Sequence, residues 1–369
     1  MRLHALDGLR AVAALIVVAY HLGWANVADA LTQQGHLSWG RALAGLGASG
    51  VELFFVLSGV VLLRPYLRAG RPMRAGSYLA RRAIRLYPPY VAAWLLAGMT
   101  VWLMTEHPTW WDARVPPFDW ADWLAQAAIV QAGGVSYNFA WWSLTVEIVF
   151  YAVAPLLVAA LVRLPPRSHR ALLALTVVAA QAIYLAPAGS GLSHLAWQFG
   201  SYAACFAAGV SLATEDPPPA LAMGAGLAGI AWVLASTAVP ALNPHVGYAL
   251  AYFGLVASAM RSGSALSNGL SSAPMVWLGE RSYSLFLTHY SVIFLCNWAV
   301  SLLVPSKGLA FYAASRSLAV PGTLLVACLV FHLIERRFAH GLVTGNNLLP
   351  PRQLNLHDER GDTPLTSGR

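Results

Sequence analysis

Ten stretches of mostly apolar residues, each near the length of one membrane crossing, follow one another along the chain and constrain its fold more than anything else. They run over 6–25, 48–64, 86–105, 141–162, 170–186, 195–213, 219–239, 246–261, 282–304 and 318–335. A helix needs about 20 residues to cross a hydrocarbon core of about 30 Å, and the fifth and eighth stretches are short. Composition agrees. Of 369 residues, 58% are apolar and 10% charged, whereas a soluble domain carries about 25% charged residues. The expected fold is all-α: a polytopic membrane protein with about ten transmembrane helices.

Basic residues set the expected orientation. Lys307 is the only lysine among the 23 basic residues; the rest are arginine. One side receives Arg2, seven arginines from Arg64 to Arg85, Arg163, Arg167, Arg170, Arg261, Arg281, Arg336, Arg337 and the tail arginines. The other receives Arg41, Arg114, Lys307 and Arg316. The positive-inside rule then puts both termini in the cytoplasm and requires an even number of spans. A signal peptide ending near Ala28-Asp29-Ala30 is disfavoured, because Asp7 falls in its basic region and cleavage would leave an odd number.

Arginines scattered between apolar runs, not gathered on one polar face, argue against nucleic-acid binding. Cys205, Cys296 and Cys328 lie inside apolar runs without ligand spacing, so reduced filler and no metal are expected. Residues 1–338 read as one membrane domain and 339–369 as a polar, disordered tail. The longest connection, 106–140, lies on the outer side. Nine of the 14 tryptophans fall near the outer boundary or in outer connections: Trp24, Trp39, Trp102, Trp110, Trp111, Trp120, Trp123, Trp141 and Trp142. An interfacial belt accounts for them; a sharper reading has some of the 110–142 set stacking on a sugar.

Ionisable groups inside spans are expensive and mark functional sites by default. The first span holds Asp7, Arg10 and His21. Eleven residues separate Arg10 from His21, which puts both on one helix face about 16 Å apart. Arg10 alone reads equally well as a capping residue that snorkels to lipid phosphate, with Asp7 as its i,i+3 partner. Counting rise from the boundaries places Glu147 at nearly the depth of His21, where a carboxylate would orient the imidazole of a general base. Two unrelated polar groups facing the bundle interior are the alternative. A second tier near the inner face holds His289 and Arg10. Just below it, Arg82 and Arg85 are spaced to clamp a phosphate.

These residues fall in motifs that resemble the acyltransferase 3 family of integral membrane acyltransferases, which includes bacterial O-acetylases of surface glycans. The matching segments are Leu6-Asp7-Gly8-Leu9-Arg10 leading to His21, Gly50-Val51-Glu52-Leu53-Phe54-Phe55-Val56-Leu57-Ser58-Gly59 and Arg82-Ala83-Ile84-Arg85-Leu86-Tyr87-Pro88. Trp142-Ser143-Leu144-Thr145-Val146-Glu147, Ser282-Tyr283-Ser284-Leu285-Phe286-Leu287-Thr288-His289 and Ile334-Glu335-Arg336 follow in the family's order. Ala11 stands where the family usually has glycine. The resemblance implies ten spans in the bacterial cytoplasmic membrane and acyl-coenzyme A, most simply acetyl-CoA, as a donor reached from the cytoplasm. It makes His21 and Arg10 the essential pair and brings Arg82 and Arg85 to the coenzyme's phosphates. Some members carry a fused hydrolase-like domain outside the membrane, and none is read here.

The first functional reading is therefore O-acyl transfer to a hydroxyl of a glycan, glycolipid or other sugar-bearing acceptor in the cell envelope. His21 either takes the hydroxyl proton or carries the acyl group. Glu147 would orient it, and Arg10, Arg82, Arg85 and His289 would form the donor tier. The second reading is a transporter of an anionic metabolite that uses the same charges as its pathway.

Overall fold

Every stretch expected to span the membrane is a helix. The computed structural model describes residues 3–24, 26, 32–111, 115–129, 136–189 and 191–338, and among them there is no strand. The polar tail, Arg114 and Ala28-Asp29-Ala30 lie outside the described residues. The helices are α1 (His4–Ala19), α2 (Leu37–Ala48), α3 (Gly50–Leu67), α4 (Ala75–Glu106), α5 (Trp120–Ala125), α6 (Trp142–Leu161) and α7 (Pro166–Tyr184). They continue with α8 (Gly191–Thr214), α9 (Pro219–Ala238), α10 (Pro244–Ala259), α11 (Ala265–Leu270), α12 (Ala273–Glu280), α13 (Ser282–Ser301) and α14 (Leu309–Val330). Wide π-helical turns prolong two of them: Tyr20–Trp24 after α1 and Phe331–Glu335 after α14.

Among the described residues, seven segments are long and apolar enough to cross a membrane: His4–Trp24, Trp39–Leu67, Ala75–Glu106, Phe139–Leu161, Pro219–Ala238, Ser282–Ser301 and Leu309–Phe338. The other three expected spans are the less apolar or shorter α7, α8 and α10. The apolar part of α7 is only Ala171–Tyr184. His194, Gln198 and Ser201 dilute α8, and α10 has 16 residues. Helices α8 and α10 are packed among other helices, so protein rather than lipid meets most of their surface. By contrast α9 presents Leu221, Met223, Leu227, Ile230 and Leu234 outward, a stripe suited only to hydrocarbon.

Close packing between small residues holds the bundle, as expected where no hydrophobic effect separates helix from lipid. Helix α3 crosses α8 at Gly59 and Gly209. A Cβ on Gly59 would lie 2.6 Å from the Phe206 carbonyl oxygen and 2.9 Å from Gly209 Cα. The foot of α1 rests on α11 and α12, two short helices the apolar windows did not reveal. There Gly8 touches the Leu270 carbonyl and Gly279 touches the Asp7 carbonyl, each too closely for any Cβ. Arg281, 6% exposed, locks this corner. Its guanidinium lies between the Trp277 and Phe331 rings, 4.2 and 4.6 Å from their centroids, and donates to the Trp277 carbonyl at 2.7 Å.

Two helix starts differ from expectation by more than a turn or so, both by extension. Helix α4 starts eleven residues before position 86, at Ala75, so Arg81, Arg82 and Arg85 ride on a helix and not in a loop. Hydropathy windows cannot register a helical turn made of arginine. Helix α14 starts at Leu309, nine residues before the expected 318.

Candidate active site

Four of the six candidate residues line one cavity near the end of the bundle that carries the basic helix start. Arg10 enters from α1, Ser58 from α3, Arg82 and Arg85 from α4, Glu147 and Tyr151 from α6, and Tyr283 and Phe286 from α13. The cavity adjoins a larger cleft, with which it shares Arg10, Val61 and Arg85. Arg64 and Arg68 line that cleft. Asp216 holds both, at 3.2 and 3.0 Å. A wide basic vestibule thus narrows into an arginine-lined chamber.

Inside the chamber the polar groups are only partly matched. Ser58 donates to Glu147 Oε1 at 2.8 Å, and the Tyr151 hydroxyl donates to the same oxygen. Tyr283 ties α13 to α4 through the Leu86 carbonyl at 3.0 Å. Glu335, 3% exposed, accepts from Ser284 at 2.6 Å and lies within electrostatic reach of Arg10 and Arg85. Yet the buried Nε atoms of Arg10 and Arg82 have no hydrogen-bond partner among the described residues. A buried unsatisfied donor costs about 1–3 kcal/mol. Two on arginines in one chamber suit a site shaped for an anion.

Beyond the ring pair of Phe54 and Phe286, 5.9 Å apart, lies a second tier. His289 is fully buried, with Nδ1 2.8 Å from the Phe286 carbonyl and 3.2 Å from the Leu285 carbonyl. Carbonyls only accept, so in the neutral ring Nδ1 carries the proton and Nε2 the lone pair. That Nε2 is 3.1 Å from His21 Nδ1, which also lies 2.9 Å from the Val17 carbonyl. Both partners accept, so His21 Nδ1 holds the proton and its Nε2 is the free base. The π turn at Tyr20–Trp24 presents this ring, and Gly23, at φ 150°, breaks the helix just after it. Tyr290 closes the other side, edge-on, 5.2 Å from His21 between centroids.

Two expectations need correction. The carboxylate of Glu147 does not meet His21; Ser58 and Tyr151 take it in the arginine chamber. The depth count failed because it put Trp141 at the membrane boundary. Trp141 is fully buried and donates to the Leu287 carbonyl at 3.2 Å, so α6 begins deep in the bundle. His289 likewise leaves the donor tier for His21. Its Nε2 lies 3.1 Å from His21 Nδ1, beyond the Phe54–Phe286 ring pair. Sequence reasoning also missed Ser58, Tyr151, Tyr283 and Glu335. Each stands within or beside a motif quoted above, and Glu335 is an acid at the end of an apolar run, which was the available signal.

Comparison with known proteins fits this geometry. The Acyltransferase domain model, Acyl_transf_3, matches residues 3–333. The chain belongs to the acyltransferase 3 family. Acyltransferase MdmB of Streptomyces mycarofaciens is 26% identical over 93% of this chain and 91% of its own. Peptidoglycan O-acetyltransferase OatA of Listeria monocytogenes is 24% identical over 89% of this chain, which spans 54% of that relative. Putative peptidoglycan O-acetyltransferase YrhL of Bacillus subtilis is 26% identical, with 90% and 54% covered. No solved structure matches. As an acyltransferase 3 member the protein is a multi-pass membrane acyltransferase, and the transporter reading has no support.

Proposed function

We propose that the protein moves an acyl group, most simply acetyl, from acyl-coenzyme A to a hydroxyl of a glycan, glycolipid or other sugar-bearing acceptor. The donor enters from the cytoplasmic side, which is the basic end of the bundle. The observation that carries this reading is the pair of unpartnered arginine Nε atoms in the chamber below a histidine whose Nε2 is free. The diphosphate of the coenzyme would supply the missing acceptors to Arg10, Arg82 and Arg85. About 16 Å of helix rise separates Arg10 from His21, a span that the extended pantetheine arm bridges.

At the upper tier His21 Nε2 takes the acceptor's hydroxyl proton as its oxygen attacks the thioester carbonyl. The carbon–sulfur bond breaks, and the departing thiolate takes the proton back from the imidazolium. His289 and the Val17 carbonyl keep His21 in the productive tautomer throughout. Glu147 and Glu335 balance the arginines and hold them in place. The peptidoglycan acetyltransferases among the relatives support a sugar hydroxyl as acceptor, although the chain spans about half their length. The test uses purified protein with acetyl-coenzyme A, following release of free coenzyme A and binding by calorimetry. His21→Ala is expected to bind donor and transfer nothing; near wild-type transfer by that variant would overturn the reading.

A further inference from the structure

One intramembrane cation has no part in the donor chamber. Arg316 lies on α14 after Leu309 and six further residues, about 10 Å along the helix axis. A charge inside a span is expensive and calls for a partner. Arg64 and Arg68 share Asp216, and Arg281 has Glu280 at 3.8 Å. Arg316 has no acidic partner among the described residues. Its guanidinium lies over the Tyr312 ring, 5.4 Å from the centroid, and otherwise meets only neutral groups. Nη1 donates to Asn297 Oδ1 at 2.7 Å and to Ser315 Oγ at 3.0 Å. Both of these residues are buried, so they hold the side chain into the bundle. An arginine that served only the lipid surface would extend toward the headgroups instead.

Counting hydrogens shows what is left over. A guanidinium has five, and the two on Nη1 are taken. The free ones form the edge made by Nε and Nη2, whose parallel N–H bonds suit two oxygens of one carboxylate or phosphate. That edge faces Gly23. A Cβ placed on Gly23 would have Arg316 Nε and Nη2 as its nearest neighbours, both at 3.9 Å. Equal distances mean that the edge, not a single atom, is presented to the turn. Gly23 itself, at φ 150°, is a position only glycine takes easily. One residue on, the buried Trp24 indole nitrogen also has no acceptor among the described residues. Gly23 follows His21 by two residues, at most about 7 Å of chain. It follows Arg10 by thirteen, about 20 Å of helix rise, so a diphosphate held at Arg10 does not reach it.

We propose that the Nε–Nη2 edge of Arg316, facing Gly23, is an oxoanion subsite that holds a carboxylate or phosphate group of the acceptor beside His21. The subsite is read from Arg316 and its neighbours; that its ligand is the acceptor rests on the acyl-transfer reading. Arg316 then sets specificity, because an acceptor without a negative charge leaves the cation unmatched.

The full chain in dodecyl maltoside, a phosphate-free detergent, is saturated with coenzyme A so that the arginine chamber is filled. It is then titrated with methyl glucuronide, its uncharged counterpart methyl glucoside, and dihexanoylphosphatidic acid, with binding followed by ligand-observed NMR. The wild type should bind at least one of the two anions more tightly than the glucoside. Binding of the glucuronide points to an acidic sugar, and binding of the phosphatidic acid alone to a lipid-borne phosphate. Arg316→Gln should weaken the bound anion at least fivefold, while Lys307→Gln, at an exposed position, should not. Asn297→Asp separates binding from structure and serves if Arg316→Gln does not fold. It gives Arg316 an acid of its own, which would strengthen a merely structural contact but should weaken the anion at least threefold. Coenzyme A affinity reports folding in every variant. No preference for either anion over the glucoside overturns the proposal. So does unchanged anion affinity in folded Arg316→Gln or Asn297→Asp. Failure of the wild type to bind coenzyme A would instead sink the donor reading, and the dependence of the anion on Arg316 would still decide the subsite.

Discussion

His21 and His289 meet through a single 3.1 Å bond, and the direction of that bond decides which nitrogen can react. Because Val17 also accepts from His21 Nδ1, removing His289 should weaken the tautomer lock and not abolish it. His289→Ala is therefore expected to cost about 1–1.5 kcal/mol in transition-state stabilisation, roughly a tenfold loss of kcat. His289→Gln, whose side-chain carbonyl can accept from His21, should recover part of it. His21→Ala should leave no transfer at all. Steady-state rates with donor held at saturation check this ordering, and equal losses in His289→Gln and His289→Ala would deny His289 an orienting role. Arg82 makes the complementary case in the chamber. Arg82→Lys keeps the charge and loses the planar fork with its unpartnered Nε. Each charge-assisted contact is worth about 1.5–3 kcal/mol, so donor affinity should fall roughly 10- to 150-fold by calorimetry with expression unchanged. Undiminished affinity would leave Arg82 only its part in orienting the protein.

Helix contacts set where these side chains stand. Gly59 lets α3 approach α8 until backbones touch, and α3 carries Ser58 and Phe54 into the chamber. Gly59→Ala would drive a Cβ to 2.6 Å from the Phe206 carbonyl oxygen, an overpacking that typically costs about 1–3 kcal/mol. Thermal unfolding in detergent should show a lower midpoint, whereas Gly224→Ala, with open space around it, should show none. The existence of each long helix was legible in the sequence because a span needs a run of apolar residues, and such a run is visible to counting. What counting could not supply was the vertical register between helices. Glu147 and His289 were each assigned a depth from helix ends taken to be at the membrane boundary. Trp141 is in fact buried and fixed by the Leu287 carbonyl, and His289 is fixed to His21 across the bundle. Those contacts join residues far apart in sequence, so no local pattern announces them. Arg10, Arg82 and Arg85 line one chamber, a nearness the sequence hinted at because two are three residues apart on one helix and the third carries a charge that nothing apolar explains.

At the scale of the whole molecule, α13 lies between two openings that face opposite ends of the bundle. One is basic, wide-mouthed and lined by arginine; the other is aromatic and lined by proline and threonine. The histidine pair lies between them, behind the Phe54–Phe286 rings. In the proposed reaction the charged donor enters by the basic opening and does not cross the bilayer. That is a claim about sidedness that no single substitution can test. In sealed vesicles of known orientation, acetyl-coenzyme A supplied only at the basic face should sustain transfer, and the same donor supplied only at the opposite face should not. If the arginines bind the phosphates as proposed, free coenzyme A should accumulate at the basic face while only the acyl group is passed on. A transporter of anions would instead move the coenzyme itself across, and labelled coenzyme would appear on the far side. Transfer at equal rates with donor at either face would show that the two openings are not separate entrances. The arginine chamber would then lose its place as the donor's entrance.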